Sequence, residues 1–424
     1  MNFRPKSLAK AAKPCRQILA NTKITVDGPG TILQDIRLLL DFIGPEGIPT
    51  GSSNGNLPAA ALPELNARLS APIELYLNRP LLKDYPNLSG LYILLRVMDL
   101  LHADAKNVRV NPASLARWSE MNPTEQYFAL MEAWLLQAES SVLGMGDDRL
   151  RGSQFQDNFR FLASLSSSQW TSLTDYWQLS RFQSASWAWN SQLQARFGLI
   201  EATPLSLENR KAVGGNCVME KIRRTPWGEA VTWGFQEVAA AGVENEYELI
   251  LADLPEDSNY GFLRPVFQPF FPEWQKVFSS SQEENRPGTY IFKVALAPRW
   301  RGSRIWRRLA VADASTLDGL ANVILQSFEF DNDHLYRFAY RDLRGKTRVY
   351  NHSYCEEGPY CDAVTVGTCG LPEKQKMKFR FDFGDNWDFL VTLERIISPD
   401  QPWRGARLVE SAGEAPKQYP ADEG

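Results

Sequence analysis

The sequence predicts an α+β protein of several domains, mainly helical in its N-terminal part and built around one sheet in its C-terminal part. Its 424 residues exceed what a single core needs. Apolar residues recur at helical spacing up to about residue 245, whereas an alternation with period two starts at Tyr290. Prolines and aromatic residues between these two regions interrupt both patterns.

Composition excludes several classes of protein. Hydrophobic residues make up 44% of the chain and charged residues 23%, which is typical of globular proteins and excludes disordered and fibrous chains. The formal net charge of −4 excludes a polycation that coats nucleic acid or lipid, so any such binding requires a local patch. The longest apolar stretch, residues 91–101, contains Arg96 and Asp99 and is too short to cross a bilayer, so we expect no membrane segment.

The cysteines and the N-terminus indicate the compartment. Five cysteines in a chain of this length do not make a disulfide framework, which favours a reducing cytoplasm. The first 27 residues are rich in basic side chains but lack the apolar core of an export signal. We interpret residues 1–27 as a flexible basic arm, either a solvated terminus or a tail that contacts phosphates.

Residues 28–150 predict a helical, winged-helix-like unit. Apolar residues at helical spacing fill 32–43, and a buried-helix pattern follows Pro86. A short strand, VRV, and helices that open at Pro112 and Pro123 come next. A helical bundle followed by short strands is the order of a winged helix.

Residues 151–245 repeat this order and predict a second winged-helix-like unit. A Trp-rich helical stretch leads to RFGLIEATP, a polar loop and the basic strand MEKIRRTP. Lys221, Arg223 and Arg224 on that strand are candidates for phosphate contacts from a wing. The alternative is a structural or protein-binding module, which the absence of a dense basic helix face favours.

Residues 246–288 form a connector rich in proline and aromatic residues, including FLRPVFQPFFPEW. Prolines at this density exclude a long helix. Aromatic side chains spaced in this way predict a segment packed onto a neighbouring core rather than one exposed to water.

Residues 289–424 predict an α+β domain. The segments TYIFKVALA and SRIWRRLAVADA form a first hairpin, and Ser315 or Thr316 caps the helix TLDGLANVILQSF. About four more strands follow, interrupted by one longer insertion. We therefore expect a mixed or antiparallel sheet with one packed helix, with a β-grasp-like arrangement as one form.

Two segments of this domain resemble the plasmid pRiA4b ORF-3-like family. They are IWRRLAVADASTLDGLANVILQSFEFDNDHLYRFAYRD and FRFDFGDNWDFLVTLERI, and the tail GEAPKQYP also resembles the family. The resemblance covers roughly residues 290 to 424 and implies an association with mobile elements, without an assigned mechanism. The residues to which it points are Trp306, Arg307, Arg308, Asp331, Asn332, His334, Asp382, Gly384, Asp385 and Trp387.

These residues allow three interpretations. The first is a structural network in which Asp382 or Asp385 neutralises a buried arginine. The second is a pocket for an anionic ligand, made by Arg307, Arg308 and His334 with Asp385 orienting the imidazole. The third is a nuclease-like metal site, with carboxylates around a divalent cation. Its ligands would be Asp331, Asp333, Asp382 and Asp385.

The insertion contains a different set of candidate ligands. His352, Cys355, Cys361 and Cys369 provide four soft donors within one loop, which could hold a structural zinc ion, although their spacing is irregular. No other cofactor is expected. The chain has three histidines and lacks a G-x-S-x-G elbow, which argues against a serine hydrolase.

Taken together, these features favour a non-enzymatic interaction or adaptor protein that binds a protein partner. One alternative is a DNA-binding regulator or mobile-element accessory protein that uses the winged units and the basic residues Arg299, Arg301 and Arg304. A second alternative is a metal-dependent phosphodiesterase or nuclease. Nothing in the sequence sets the oligomeric state.

Overall fold

The computed structural model divides the chain into two compact units, one formed largely by residues 1–280 and one largely by residues 281–424. The residues it describes are 6–51, 55–104, 106–145, 154–173, 185–213, 218–241, 260–279, 286–297, 305–342, 344–345, 347–371, 373–398 and 405–419. Among the described helices, none combines the length and the apolar character that a bilayer crossing requires.

The first unit is mainly helical, as the apolar spacing predicts. Its α-helices are α1 Lys6–Asn21, α2 Ile32–Ile43, α3 Leu62–Arg68, α4 Pro86–Val97, α5 Pro112–Ser119, α6 Pro123–Leu136, α7 Gln154–Ser164, α8 Ala185–Arg196, α9 Leu207–Val213, α10 Pro226–Ala241 and α11 Arg264–Phe267. Short 3₁₀ turns lie at Ala59–Ala61, Leu82–Asp84 and Ser140–Leu143.

The prediction of a flexible arm over residues 1–27 is wrong for most of that segment. Residues Lys6–Asn21 form α1, which packs on α10. Cys15 and Leu19 lie one helical turn apart and are both buried, with relative exposures of 1% and 0%. In the sequence, the many basic residues of this segment make its apolar stripe hard to recognise.

Two small three-stranded sheets accompany the helices. The first has the order β1-β3-β2, from Ile48–Pro49, Asn107–Val110 and Leu101–Ala103. The second has the order β4-β6-β5, from Thr171–Ser172, Met219–Arg224 and Ile200–Pro204. Both sheets place the last strand between the other two. The division into two winged-helix-like units remains an interpretation of this repeated order.

A buried ion pair joins α2 to α8. Arg196 Nε donates to Asp35 Oδ2 at 3.0 Å, and both side chains are 2% exposed. The Thr31 N–H donates to the Arg196 carbonyl, and Gly30 has a φ of +72° beside it. A Cβ at Gly30 would lie 2.0 Å from the Arg196 carbonyl oxygen, so only glycine permits this close approach.

The part of the connector between residues 260 and 279 packs on α6. The indole of Trp274 stacks on Phe128, with centroids 4.3 Å apart. Glu132, only 1% exposed, accepts hydrogen bonds from the backbone N–H groups of Gly261 at 2.8 Å and Leu263 at 3.0 Å. Aromatic packing and buried hydrogen bonds therefore hold this segment in place.

The described residues of the second unit form one antiparallel sheet and one helix, which confirms the predicted α+β class. The sheet order is β10-β9-β11-β12-β7-β8-β13, and every neighbouring pair is antiparallel. The strands are β7 Thr289–Leu296, β8 Trp306–Ala312, β9 Tyr336–Arg341, β10 Thr347–Asn351, β11 Lys376–Phe381, β12 Trp387–Ile397 and β13 Ala406–Ala412.

Helix α12, Leu317–Ser327, covers one face of this sheet. Thr316 caps it, its hydroxyl accepting from the Gly319 N–H at 3.0 Å. Its apolar side packs with the inward residues of the strands in one core, in which Leu320, Phe338 and Phe379 are fully buried. The opposite face of the sheet carries no helix among the described residues of this unit.

The insertion between β10 and β11 packs on the first turn of α12. The Leu317 N–H donates to the Val364 carbonyl at 3.0 Å, and the Asp318 N–H donates to the Cys361 carbonyl at 3.1 Å. These bonds satisfy donors that the start of a helix leaves without intrahelical partners. Cys361 and Val364 also join the apolar core, so the insertion has a packing anchor of its own.

Candidate functional site

Three of the family-like motifs meet at one end of the large sheet. The loop 331–334 lies between α12 and β9, the hairpin loop 382–386 joins β11 to β12, and residues 418–419 belong to the tail. Antiparallel pairing of β9 with β11 places Tyr336 opposite Phe381, which brings the first two loops together.

Asp382 organises the hairpin loop. Its Oδ1 accepts hydrogen bonds from the N–H groups of Gly384 at 2.8 Å and Asp385 at 3.3 Å. Asp382 and Asn386 both have positive φ angles, 54° and 57°, which suit short polar side chains that bond to their own backbone. The F-G-D-N-W motif therefore builds a tight turn between strands.

His334 lies beside this turn. Its Nε2 is 3.6 Å from Asp382 Oδ2 and 4.0 Å from Asp333 Oδ1, and the side chain is 43% exposed. These separations are longer than hydrogen bonds, so the imidazole has carboxylates near it without a fixed bond to them. The hypothesis that Asp385 orients His334 is wrong, because the hairpin carboxylate beside His334 is that of Asp382 and it makes no hydrogen bond to the imidazole.

The tail residues Gln418 and Tyr419 close the cluster. The Tyr419 hydroxyl donates to Asp333 Oδ2 at 2.5 Å, and Gln418 Nε2 donates to Asp333 Oδ1 at 3.0 Å. The hydrogen bond from Tyr419 lowers the pKa of the Asp333 carboxyl. The same bond raises the pKa of Tyr419 to about 12, because Asp333 stabilises the protonated phenol.

Arg307 has partners other than those predicted from the sequence. Its guanidinium is buried and donates to the carbonyls of Ser327 at 2.6 Å, Ala412 at 3.2 Å and Gly413 at 3.1 Å. It also lies 4.7 Å from the ring of Phe328, and burial lowers its pKa. The predicted pairing with Asp382 or Asp385 is therefore wrong, since β8 places Arg307 against the carbonyl end of α12.

Arg308 points to the other face of the sheet, as the alternation along a strand requires. Its Nε donates to Glu394 Oε2 at 2.8 Å, and it also pairs with Glu410. Trp306 shares this face, with Lys293 Nζ 4.6 Å from its ring centroid. Arg307, Arg308 and His334 therefore do not converge, and the predicted anion pocket is not formed.

Trp387 and Asn332 both make contacts within the domain that stabilise its fold. Trp387 is 2% exposed and packs edge-on against Phe330, with centroids 4.8 Å apart, so it is a core residue and not an available partner contact. Asn332 Nδ2 donates to Asn322 Oδ1 at 2.8 Å and so links its loop to α12.

Neither predicted metal site is assembled. In the part of the chain that the structure describes, no three His, Cys, Asp or Glu side chains come together as ligands. The Cys361 thiol donates to the Tyr350 carbonyl and the Cys369 thiol to the Val366 carbonyl, while His352 Nδ1 accepts from the Tyr354 N–H. Burial raises the pKa of Cys361 to about 12, which opposes the thiolate that zinc requires.

The basic wing is largely occupied by internal contacts. Arg224 is buried and donates to the Leu162 carbonyl at 3.0 Å, so its predicted contact with phosphate is wrong. Arg223 pairs with Glu201 on the neighbouring strand and lies 4.7 Å from the ring of Trp170. Lys221 remains exposed. Arg299, Arg301 and Arg304 lie outside the described residues.

Two features have little local signal in the sequence. Strand β13 was not predicted, although its segment RLVESA has some β-forming residues. The sequence identifies the tail residues Gln418 and Tyr419 only as part of a family-like ending, and nothing local shows that they reach back to residues 331–333. The cluster is therefore a set of hydrogen bonds within the domain, and these surround the partly exposed His334.

Comparisons with known proteins bear on the second unit. No curated protein matches the chain. A crystal structure of a protein of unknown function from Methanosarcina mazei Go1 aligns over 30% of this chain and 70% of that chain, at 20% identity and a TM-score of 0.26, and it supports no inference here. The C-terminal third, residues 289–421, matches the family described as plasmid pRiA4b ORF-3-like protein, as its motifs predicted.

Proposed function

We propose that this chain is a non-enzymatic interaction protein whose C-terminal domain binds a protein partner through strand β13. The observation that carries the proposal is the position of this strand at the end of the large sheet, paired with β8 on one side. An edge strand offers backbone donors and acceptors to an extended segment of another protein.

The side chains of β13 suit such a partner. Residues 406–411 are exposed, and Leu408 and Val409 are 46% and 52% exposed. Neighbouring apolar side chains on an edge provide the pockets and contacts that give strand addition its specificity.

The same strand has features that limit its pairing with the β13 strand of another copy of the chain. A β-bulge lies between Leu408 and Glu410, and Arg407 and Glu410 place charges on the edge. Bulges and charges are the devices by which natural sheets avoid indiscriminate pairing. The edge is therefore suited to a selected partner more than to open-ended assembly.

The contacts that the motif residues make support a role in binding over one in catalysis. Asp382 caps a turn, Arg307 binds backbone carbonyls, and Asp333 is held by the tail. An enzyme needs a nucleophile or base aimed at a site that a substrate can enter. The association with mobile elements, which the family resemblance implies, belongs to the same proposal.

A cytoplasmic location is also part of the proposal. Cys15, Cys355, Cys361 and Cys369 are free thiols. Free cysteines are compatible with a reducing compartment, and they do not form the disulfide bonds that stabilise proteins in an oxidising one.

The experiment is site-specific photocrosslinking in the host cell. A photoreactive amino acid replaces Val409 in the full chain, and the control carries it at Tyr354, which is 84% exposed in the insertion. A partner identified from an adduct at position 409 is then purified. Its affinity is measured for the wild type, for Leu408→Lys with Val409→Lys, and for Tyr354→Lys.

We expect a discrete heterologous adduct at position 409 alone. The double lysine variant should weaken the purified complex at least about tenfold, because it places two charges in the buried contact, whereas Tyr354→Lys should change it less than about twofold. Adducts shared by both positions, adducts only between copies of this chain, or equal affinities of the two variants would contradict the proposal.

A further inference from the structure

The face of the large sheet opposite α12 carries a cluster of basic side chains, here named the basic face. Its members are Arg337, Arg341, Lys376, Lys378 and Arg380. They alternate with buried residues along β9 and β11, so they share one side of the sheet. The register places Arg337 opposite Arg380 and Ala339 opposite Lys378.

In the described part of the sheet, Asp388 is the carboxylate that contacts the cations of strand β11. On the adjacent strand β12, the positions facing Lys376 and Lys378 are Thr392 and Leu390, and Asp388 faces Arg380. Asp388 accepts from Arg380 at 2.7 Å and lies 3.3 Å from Lys378 Nζ. Burial raises the pKa of Asp388, but hydrogen bonds from Arg380 and Lys378 outweigh this and lower it.

On the other side of the basic face, β10 contributes neutral groups. Thr347, Val349 and Asn351 stand opposite Arg341, Ala339 and Arg337. Strand separation of about 4.8 Å and a two-residue repeat of about 6.8 Å give a compact array of cations. The whole chain has a net charge of −4, so this positive patch is a local departure from its average.

Aromatic rings flank the array. Phe383, 42% exposed, lies in the hairpin loop, with the guanidinium carbon of Arg337 5.6 Å from its ring centroid. Trp306 lies on the same face of β8, in the row that runs from Lys378 through Leu390 and Ala295, but it is half-buried and both Lys293 and Arg308 lie over its ring. Proteins bind single-stranded nucleic acids through cations that contact the phosphates and through exposed rings, such as that of Phe383, on which bases stack.

We infer that the basic face binds single-stranded nucleic acid. The shape of the surface favours a single strand over a duplex. Seven strands at about 4.8 Å separation make a face far wider than the DNA major groove, which is about 12 Å wide and admits a helix or a two-stranded ribbon. A flexible strand can lie across such a surface and expose its bases to it. This inference uses a different surface from β13 and is independent of the proposed function.

The test is fluorescence anisotropy with the full chain and a labelled single-stranded oligonucleotide of about 20 nucleotides, as DNA and as RNA. A hairpin duplex, polyglutamate and vesicles containing phosphatidylserine are the competitors. The variant is Lys376→Glu with Lys378→Glu. Its matched control is Lys13→Glu with Lys83→Glu, which makes the same change in net charge at exposed lysines of the first unit.

We expect binding to single strands with a slope of log K against log salt of about −3, as a contact with four or five phosphates produces. The variant should lose at least about tenfold in affinity and the control less than about twofold. If the double glutamate variant does not fold, as judged by its melting temperature, Arg337→Gln with Lys378→Gln takes its place.

Four results would overturn the inference. They are the absence of binding at about 50 mM salt, an equal loss in the lysine control, tighter binding to the duplex, and displacement at equal charge by polyglutamate or by vesicles. The last would assign the basic face to an acidic protein or to a lipid surface.

Discussion

The side-chain amide of Gln418 pairs with the backbone of Asp331 through two hydrogen bonds. The Asp331 N–H donates to Gln418 Oε1 at 2.6 Å, and Gln418 Nε2 donates to the Asp331 carbonyl at 3.3 Å. The amide thus imitates the backbone of a neighbouring strand. Because Gln418 is only 7% exposed, water is poorly placed to substitute for either bond.

Replacing Gln418 should therefore release the tail. We expect Gln418→Ala to lower the free energy of unfolding by about 1–2 kcal/mol, because it leaves the Asp331 backbone groups without partners. Gln418→Glu should destabilise more at pH 7 than at pH 4, since a carboxylate there faces Asp333. Urea unfolding of the variant and the wild type at both pH values measures this, and an equal loss of stability relative to the wild type at the two values would contradict the arrangement.

Buried Glu132 predicts a pH dependence of stability. Burial raises its pKa from the ordinary 4.5 to about 7, although hydrogen bonds from Gly261 and Leu263 partly oppose the shift. A raised carboxyl pKa means that the folded state binds the proton more tightly, so stability falls as the pH rises from about 4.5 to about 7. The contribution is at most about 3 kcal/mol.

The comparison for Glu132 is Glu132→Gln, which removes the titration while retaining one acceptor. We expect its unfolding free energy to lack the decline between about pH 4.5 and pH 7 that we predict for the wild type, as followed by tryptophan fluorescence in urea. Glu273→Gln, in the same connector contact, serves as the control because Glu273 lies at a more exposed position. Parallel curves for the wild type and Glu132→Gln would refute the assignment.

Arg307 and Arg308 form a matched pair for a stability test. Arg307→Met should cost about 2–4 kcal/mol, because it leaves several carbonyl groups without a donor in a buried site. Arg308→Met removes partly exposed ion pairs and should cost less than about 1 kcal/mol. Thermal melts of the two variants test the difference, and equal losses would show that Arg307 is not the buried anchor.

The insertion should be stable without zinc. His352, Cys361 and Cys369 bond to separate backbone groups, and its apolar residues enter the core. We expect a strong zinc chelator to leave the melting temperature unchanged, and metal analysis of the purified chain to give well under one zinc per molecule. A large drop in melting temperature with the chelator, restored by zinc, would show that the cluster closes around a metal.

Local patterning was sufficient to predict most elements of the second unit. The period of two along β7, β8, β11 and β12, and the helical spacing in α12, are set by residues close in sequence. In the first unit, a local signal of the same kind predicts α6: Asn122 and Glu125 form the capping box of the helix that begins at Pro123. Such signals are readable because each depends on neighbours within a few positions.

Helix α1 and strand β13 show where local patterns were insufficient. The basic charge of residues 6–21 suggested a solvated arm, while burial of Cys15 and Leu19 against α10 depends on a helix some 200 residues away. Strand β13 has weak alternation and is positioned by pairing with β8, about 100 residues upstream. Tertiary packing overrides weak local preference in both cases.

By itself, the sequence determined the fold class of the second unit, the order along the chain of its helix and of its strands other than β13, and its family resemblance, because these depend on periodicity and local motifs. Only the tertiary structure decided what each motif residue touches. Arg307 binds carbonyls 20, 105 and 106 positions away, and Asp333 is held by a tyrosine 86 positions away. The charge of a side chain can be read from the sequence, but its partner depends on which residues the fold of the backbone brings close to it.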